Sequence, residues 1–260
     1  MVKFRDLVNS LRDLGLDGTK PAIAHASLSA FGHVQGGAEA VVGALLSVID
    51  GLIMPTFTYK TMVTPESGPS ENGINYGGNT DANRLAEFYS SDMPADPLMG
   101  MIAETLRQHP DAQRSNHPIY SFSGVNSEEV VSAQTREEPF APVRVLTESL
   151  GFVLLLGVDH TANTSIHYGE QLAGRRQFIR WALTKKGVQE CPRWPGCSYG
   201  FNAITPEIEK YTNKTYIGSA LVQLIPLSTL IRTVIDMVQK DPLALLCDRS
   251  NCERCQAIRE

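Results

Sequence analysis

Phe4, Leu7, Leu11 and Leu14 recur at helical spacing, which predicts an amphipathic helix over residues 2–16, closed by Gly15 and Gly18. Residues 21–26 are short and apolar and read as a strand. Residues 38–49 turn Val41, Val42, Leu45 and Leu46 to one side and read as a helix. Residues 51–57 predict a strand, 98–108 a helix, and 119–123 a half-buried strand from the alternation of Ile119, Ser121 and Ser123 with Tyr120 and Phe122. Helices are expected over 127–133 and 143–149. The run Phe152-Val-Leu-Leu-Leu-Gly157 follows, apolar without interruption, as in a strand buried on both faces. A polar loop from Asp159 to Ser165 offers helix-capping side chains, and the chain from Ile166 to Ala182 is mostly free of breakers, so a helix is expected there. Further on, Thr205-Pro206-Glu207 opens a short helix, 216–224 reads as one strand, and 226–238 is a helix with Leu230, Ile231, Val234 and Val238 on one stripe. Strands alternating with helices point to an α/β class.

Candidate chemistry gathers after the central strand. His167 falls in the first turn of the helix that follows the polar loop, and Glu170, three residues on, is its neighbour on the same face. A carboxylate beside an imidazole fixes its tautomer and leaves the other nitrogen free to take a proton. On spacing alone the pair reads first as a surface His and a solvated Glu on a capped helix, since His and Glu three apart are common on helices. Two other stretches suit an anion. Ser27, Leu28, Ser29, Gly36 and Gly37 lie between a strand and a helix, where free backbone N–H groups meet a phosphate or a carbonyl oxygen, although neither a P-loop nor a dinucleotide fingerprint is present. Arg114, Ser115 and His117 precede the alternating strand, and a guanidinium offers phosphate a planar donor fork. Residues 60–96 are rich in Gly, Ser, Asn, Pro and acids, longer than an ordinary connection, and are expected to form a lid over part of the cleft.

Composition narrows the classes. At 260 residues the chain can bury a large core, and it is read as a single domain over 1–260. A net charge of −5 argues against a nucleic-acid partner and is compatible with a cationic substrate. No stretch approaches a membrane span and the first residues lack a signal-peptide core, so a cytoplasmic protein with no membrane partner is expected, as monomer or homodimer. The five cysteines form no disulfide framework and are read as reduced. Cys247, Cys252 and Cys255 fall short of a four-ligand site unless Cys191 or Cys197 folds over them, and no metal is expected.

The order of motifs is also informative. His25-Ala-Ser-Leu-Ser with Gly36-Gly37, Met54-Pro-Thr-Phe57, Arg114-Ser-x-His-Pro118, and Leu154-Leu-Leu-Gly-Val-x-His160-x-x-Asn-Thr-Ser-x-His167-x-x-Glu170 together resemble the aminoglycoside 3-N-acetyltransferase family over roughly the first 180 residues. The resemblance implies a three-layer α/β/α sandwich with a mixed central sheet, acetyl-CoA as co-substrate, and direct acetyl transfer to a small-molecule amine acceptor. It further implies His167 as general base, Glu170 as the acid that orients it, and the coenzyme held by Ser27, Leu28, Ser29, Gly36, Gly37, Arg114, Ser115, His117 and Thr164.

The chain departs from that pattern at residues 188–201, where an acid-rich segment is expected for a polycationic sugar and only Glu190 is acidic. Three functions therefore stay open: acetylation of the 3-amino group of a 2-deoxystreptamine aminoglycoside, the same chemistry on another amine-bearing metabolite, and a coenzyme-binding or hydrolytic role in which His167 activates water. The lack of a Gly-x-Ser-x-Gly elbow weakens covalent hydrolysis.

Overall fold

The structure, a computed structural model, describes residues 1–78 and 80–260. In chain order its elements are α1 (Phe4–Leu14), β1 (Ala22–Ala26), α2 (Gly37–Leu46), β2 (Leu52–Pro55), β3 (Met62–Val63), α3 (Thr80–Arg84), α4 (Gly100–Arg107), β4 (Gln113–Arg114), β5 (Phe122–Val125), α5 (Glu128–Ser132), α6 (Ala141–Glu148), β6 (Phe152–Leu156), α7 (Ser165–Leu172), β7 (Phe178–Thr184), β8 (Gly187–Trp194), α8 (Thr205–Ile208), β9 (Asn213–Ile217), β10 (Ala220–Pro226), α9 (Leu227–Lys240) and α10 (Glu253–Arg259). Seven strands form the main sheet in the order β4-β5-β2-β1-β6-β10-β9. β1 runs parallel to both β2 and β6, and the outer pairings are antiparallel, so the sheet is mixed.

Alternation along the buried strands assigns side chains to two cores. Ile23, Ile53, Val153 and Leu155 face one layer of helices, where α5, α6, α7 and α9 contribute Val130, Val143, Leu146, Ile166, Leu230 and Val234. Ala22, Ala24, Leu52, Met54, Leu154 and Leu156 face the other, built from α1, α2 and α4 through Leu7, Leu11, Val42, Leu45, Ile102 and Leu106. A strand with apolar groups on both sides needs a helix layer on each. This is the three-layer α/β/α sandwich that the family resemblance implies.

Two tight approaches hold the layers in place. Gly157, at the end of β6, has φ +68, and a Cβ there would lie 2.3 Å from the Ala30 Cβ. Gly169 lets α7 close onto α9, since its Cβ would stand 2.7 Å from Val234.

Two expected elements are corrected, and the segment expected as a lid is located. The helix expected to continue to Ala182 stops at Leu172, because Gly174 adopts φ +83 and the chain returns as β7, which pairs with β3 and β8 in a second, three-stranded antiparallel sheet. The strand expected over 216–224 is a hairpin, β9 and β10, turning at Gly218 with φ +59. Residues 60–96 supply no described residue to the main cleft and pack instead on the small sheet: Asn72 exchanges hydrogen bonds with Ile179, and β3 pairs with β7. Asn79, within that segment, lies outside the described residues. Among the described residues, no helix is long and apolar enough to cross a membrane.

Candidate active site

β1 and β6 lie side by side and parallel, but the chain leaves β1 toward α2 on one face and β6 toward α7 on the other. Departing loops that diverge in this way open a crevice beyond the carboxyl ends of the strands. A cleft of about 570 Å³ lies there, lined by Ala24, His25 and Ala26 of β1, Met54 and Pro55 of β2, and Val158, Thr161, Thr164 and His167 after β6. Its far wall is aromatic: Tyr59, Tyr120 and Trp194, with Tyr120 stacked on Trp194 at 4.4 Å between ring centroids. Gly196, Ser198, Tyr199 and Arg254 also line it.

His167 sits where the helical spacing predicts. Its Nδ1 is 2.8 Å from Glu170 Oε2, and the two side chains are 8% and 2% exposed, so the surface alternative is excluded. Glu170 Oε1 accepts from Arg175 Nη1 at 3.0 Å, and Arg175 is 1% exposed. Arg175 Nη2 donates in turn to the carbonyls of Pro242 and Ala244, at 3.0 and 2.7 Å. The carboxylate therefore lies between two donors, and the Nδ1–H it accepts leaves Nε2 as the basic nitrogen of the neutral ring. Phe201 packs edge-on against the imidazole at 4.7 Å and limits its rotation. The sequence reading missed Arg175. The one local hint is the pair of glycines in the helix and just after it, with the arginine following the second.

Three more histidines are buried and neutral. Burial, with a smaller push from His160, takes His25 down to about 3, and burial takes His160 and His117 down to about 4. His25 lines the cleft with its Nε2 buried and unpartnered. Tyr59, also on the wall, is pushed up to about 12 by burial and stays a neutral phenol.

The residues expected to bind the coenzyme divide into two groups. Thr164 lines the cleft, and Ser27 and Ser29 sit just past the β1 end, with their hydroxyls 3.1 Å apart. Leu28 opens a single 3₁₀ turn there, and Gly36 and Gly37, both at positive φ, start α2. None of Ser27, Leu28, Ser29, Gly36 and Gly37 is on the cleft wall itself. Arg114, Ser115 and His117 are not on the cleft wall either and are tied into the protein's own hydrogen bonding, with His117 Nε2 buried and unpartnered. Arg114 donates to the Thr56 carbonyl (2.6 Å), the Ser121 hydroxyl (3.1 Å), and the Ser91 and Met93 carbonyls. Ser115 bonds Gln134 and accepts from the Phe122 N–H. His117 Nδ1 accepts from the amides of Ile119 and Tyr120 at 3.1 and 2.9 Å. β4 lies on the sheet edge, and these side chains turn inward to anchor it.

Fold and site together define an α/β/α scaffold with a buried His–Glu–Arg relay at the head of a crevice between diverging strands. Residues 23–239 match the family described as aminoglycoside 3-N-acetyltransferase, and the chain belongs to that family. It is 30% identical over 178 residues to the SPbeta prophage-derived aminoglycoside N(3')-acetyltransferase-like protein YokD of Bacillus subtilis (strain 168), covering 64% of each chain. It is 31% identical over 217 residues to aminoglycoside N(3)-acetyltransferase III of a Salmonella species, covering 76% of this chain and 71% of that one. The match to the Bacillus protein thus spans just under two thirds of that relative's length. The crystal structure of the apoenzyme of aminoglycoside acetyltransferase AAC(3)-IVa superposes with a TM-score of 0.81 at 23% identity, over 99% of this chain and 97% of that one, and shares the fold. AAC(3)-IVa has also been solved, as a mutant, with a gentamicin, and the enzyme AAC-IIIb with CoASH.

Proposed function

We propose that this chain transfers the acetyl group of acetyl-CoA directly to an amine, with His167 as general base. The observation that carries the proposal is the buried relay of His167, Glu170 and Arg175, which ends on the wall of the cleft. Family membership and the relative solved with CoASH support acetyl-CoA as the donor. In the step itself, Nε2 of His167 takes the amine proton as the nitrogen attacks the thioester carbon, the new N–C bond forms, the C–S bond breaks, and the departing thiolate is protonated by the imidazolium. An amine at neutral pH is mostly protonated, and a positioned base contributes about 10²–10⁴ in rate. Glu170 stabilises the imidazolium while it exists, and Arg175 holds Glu170 in place.

The family points first to the 3-amino group of a 2-deoxystreptamine aminoglycoside. A second reading, another amine-bearing metabolite, is favoured by the cleft, where no described lining residue is a carboxylate and Arg254 contributes a cation. A polycation is poorly matched to such a wall. The assay is purified protein with acetyl-CoA and a panel of aminoglycosides and monoamines, followed by release of free thiol. Amine-dependent thiol release supports acetyl transfer, and the preferred amine decides between the acceptors. Thiol release that ignores the amine makes the protein a hydrolase and overturns the proposal.

A further inference from the structure

The cysteines form a second centre outside the relay. The expectation of no metal depended on Cys247, Cys252 and Cys255 lacking a fourth thiol. The fold supplies it by returning the loop after β8 onto the C-terminal segment, so that the ligand atoms of Cys197, Cys247, Cys252 and Cys255 all lie within 4.8 Å of one another. Cys191 stays apart as an ordinary buried thiol, pushed up to about 12 by burial. The Cys247 and Cys255 sulfurs are 3.6 Å apart, against about 3.8 Å between ligands at the corners of a tetrahedron with Zn–S bonds near 2.3 Å.

We infer that Cys197, Cys247, Cys252 and Cys255 form a tetrathiolate site for one zinc ion. Soft thiolates in a closed tetrahedral set select zinc over the hard cations, and a set of four protein ligands is a structural site rather than a catalytic one. On binding, the four thiols give up their protons to solvent and the ion keeps its charge and oxidation state. The surroundings fit the resulting excess of negative charge. The Tyr199 backbone N–H is directed at the Cys197 sulfur at 3.4 Å. Arg259 donates to the Cys247 carbonyl at 2.7 Å, Arg254 to the Gly196 carbonyl at 3.0 Å, and Arg249 lies 3.6 Å from the centre of the Tyr199 ring. Hydrogen bonds to ligand sulfurs and nearby cations are the outer shell that such sites carry.

The position of the site gives it a purpose. Gly196, Ser198 and Tyr199 flank Cys197, Arg254 precedes Cys255, and all four of these neighbours line the cleft. A small apolar cluster of Leu246, Ile258 and the cysteines themselves packs this corner. The ion would clamp together two segments, distant in sequence, that form one wall of the cleft.

The test is elemental analysis of protein purified under reducing conditions without a metal-affinity column. About one zinc per chain is expected, with the content falling tenfold or more in Cys252→Ser and unchanged in Cys191→Ser. Metal-stripped wild-type protein should take up one equivalent of cobalt(II) with the visible bands of a tetrahedral tetrathiolate, and should melt at a lower temperature until zinc is restored. Because wild type alone gives these readouts, a variant that fails to fold does not obscure the answer. Native protein that holds no metal and gives no cobalt spectrum overturns the assignment, as does a Cys247–Cys255 disulfide found by mass spectrometry.

Discussion

Replacing Glu170 by Gln keeps the shape of the relay and removes its charge. In the parent, Glu170 and Arg175 are 2% and 1% exposed and 3.0 Å apart, so the substitution leaves a buried guanidinium facing a neutral amide. Breaking a buried ion pair from one side costs about 3–5 kcal/mol, because the surviving charge is left uncompensated. For a chain of this size each kcal/mol shifts the melting temperature by roughly 2–4 °C, giving a fall of about 6–20 °C. Turnover falls as well, but by less than the full ~10²–10⁴ that a general base contributes, since the imidazole is still present. Adding Arg175→Met removes the stranded charge, and the double variant should regain part of the lost stability without regaining turnover. The coupling between the two changes is expected at roughly 1–3 kcal/mol, reduced somewhat because Met also abandons the Pro242 and Ala244 carbonyls. Thermal melts of the four proteins, with thiol release from acetyl-CoA measured on each, complete the cycle. If Glu170→Gln melts with the parent and turns over normally, or if the two losses simply add, the relay is not the unit described here.

Other outcomes follow from the same geometry. Stability should fall as pH drops from about 6.5 toward 4, because His25, His117 and His160 are neutral when folded, with values of about 3, 4 and 4, whereas the unfolded chain binds protons at all three below about 6.5. Melting temperatures that stay level between pH 7 and pH 5 would show that these rings are not buried as described. Arg114→Ala should lower the melting temperature by freeing the Ser91–Met93 turn while leaving coenzyme A affinity within about threefold by calorimetry. A tenfold loss of affinity would return Arg114 to the phosphate-binding role expected from sequence. Gly157→Ala should destabilise the fold by about 1–3 kcal/mol, since its methyl group would enter Ala30 from a positive-φ backbone; a denaturant midpoint equal to the parent's would contradict that packing.

The parts legible in sequence are those in which local pattern and burial coincide. The uninterrupted run from Phe152 to Leu156 announces a two-sided strand because both of its faces are covered. His167 and Glu170 are legible as a pair because three residues on a helix make neighbours of them. Arg175 is not, since its place depends on the left-handed turn at Gly174 and on carbonyls near residue 243. The helix-like stretch of residues 175–182 becomes β7 because it finds partners in β3 and β8, and cross-strand pairing decides such segments more than propensity does. Arg114, Ser115 and His117 have the residue types of a phosphate site and the neighbourhood of an edge strand, and only tertiary structure shows that Arg114 and Ser115 already donate within the protein and that His117 Nδ1 already accepts there. Sequence leaves Cys191 and Cys197 as equal candidates for the fourth cysteine of the thiol cluster for the same reason, as Cys197 reaches the others through the path of β8 and not through spacing.

The central claim is that the imidazole of residue 167 acts on the acceptor rather than on the coenzyme. Calorimetric titration of coenzyme A into His167→Ala, run beside the acetyl-transfer assay on the same preparation, tests it most directly. The account predicts turnover reduced by about 10²–10⁴-fold with coenzyme affinity within about threefold of the parent. Turnover that survives the substitution, or an affinity that collapses together with it, would contradict it.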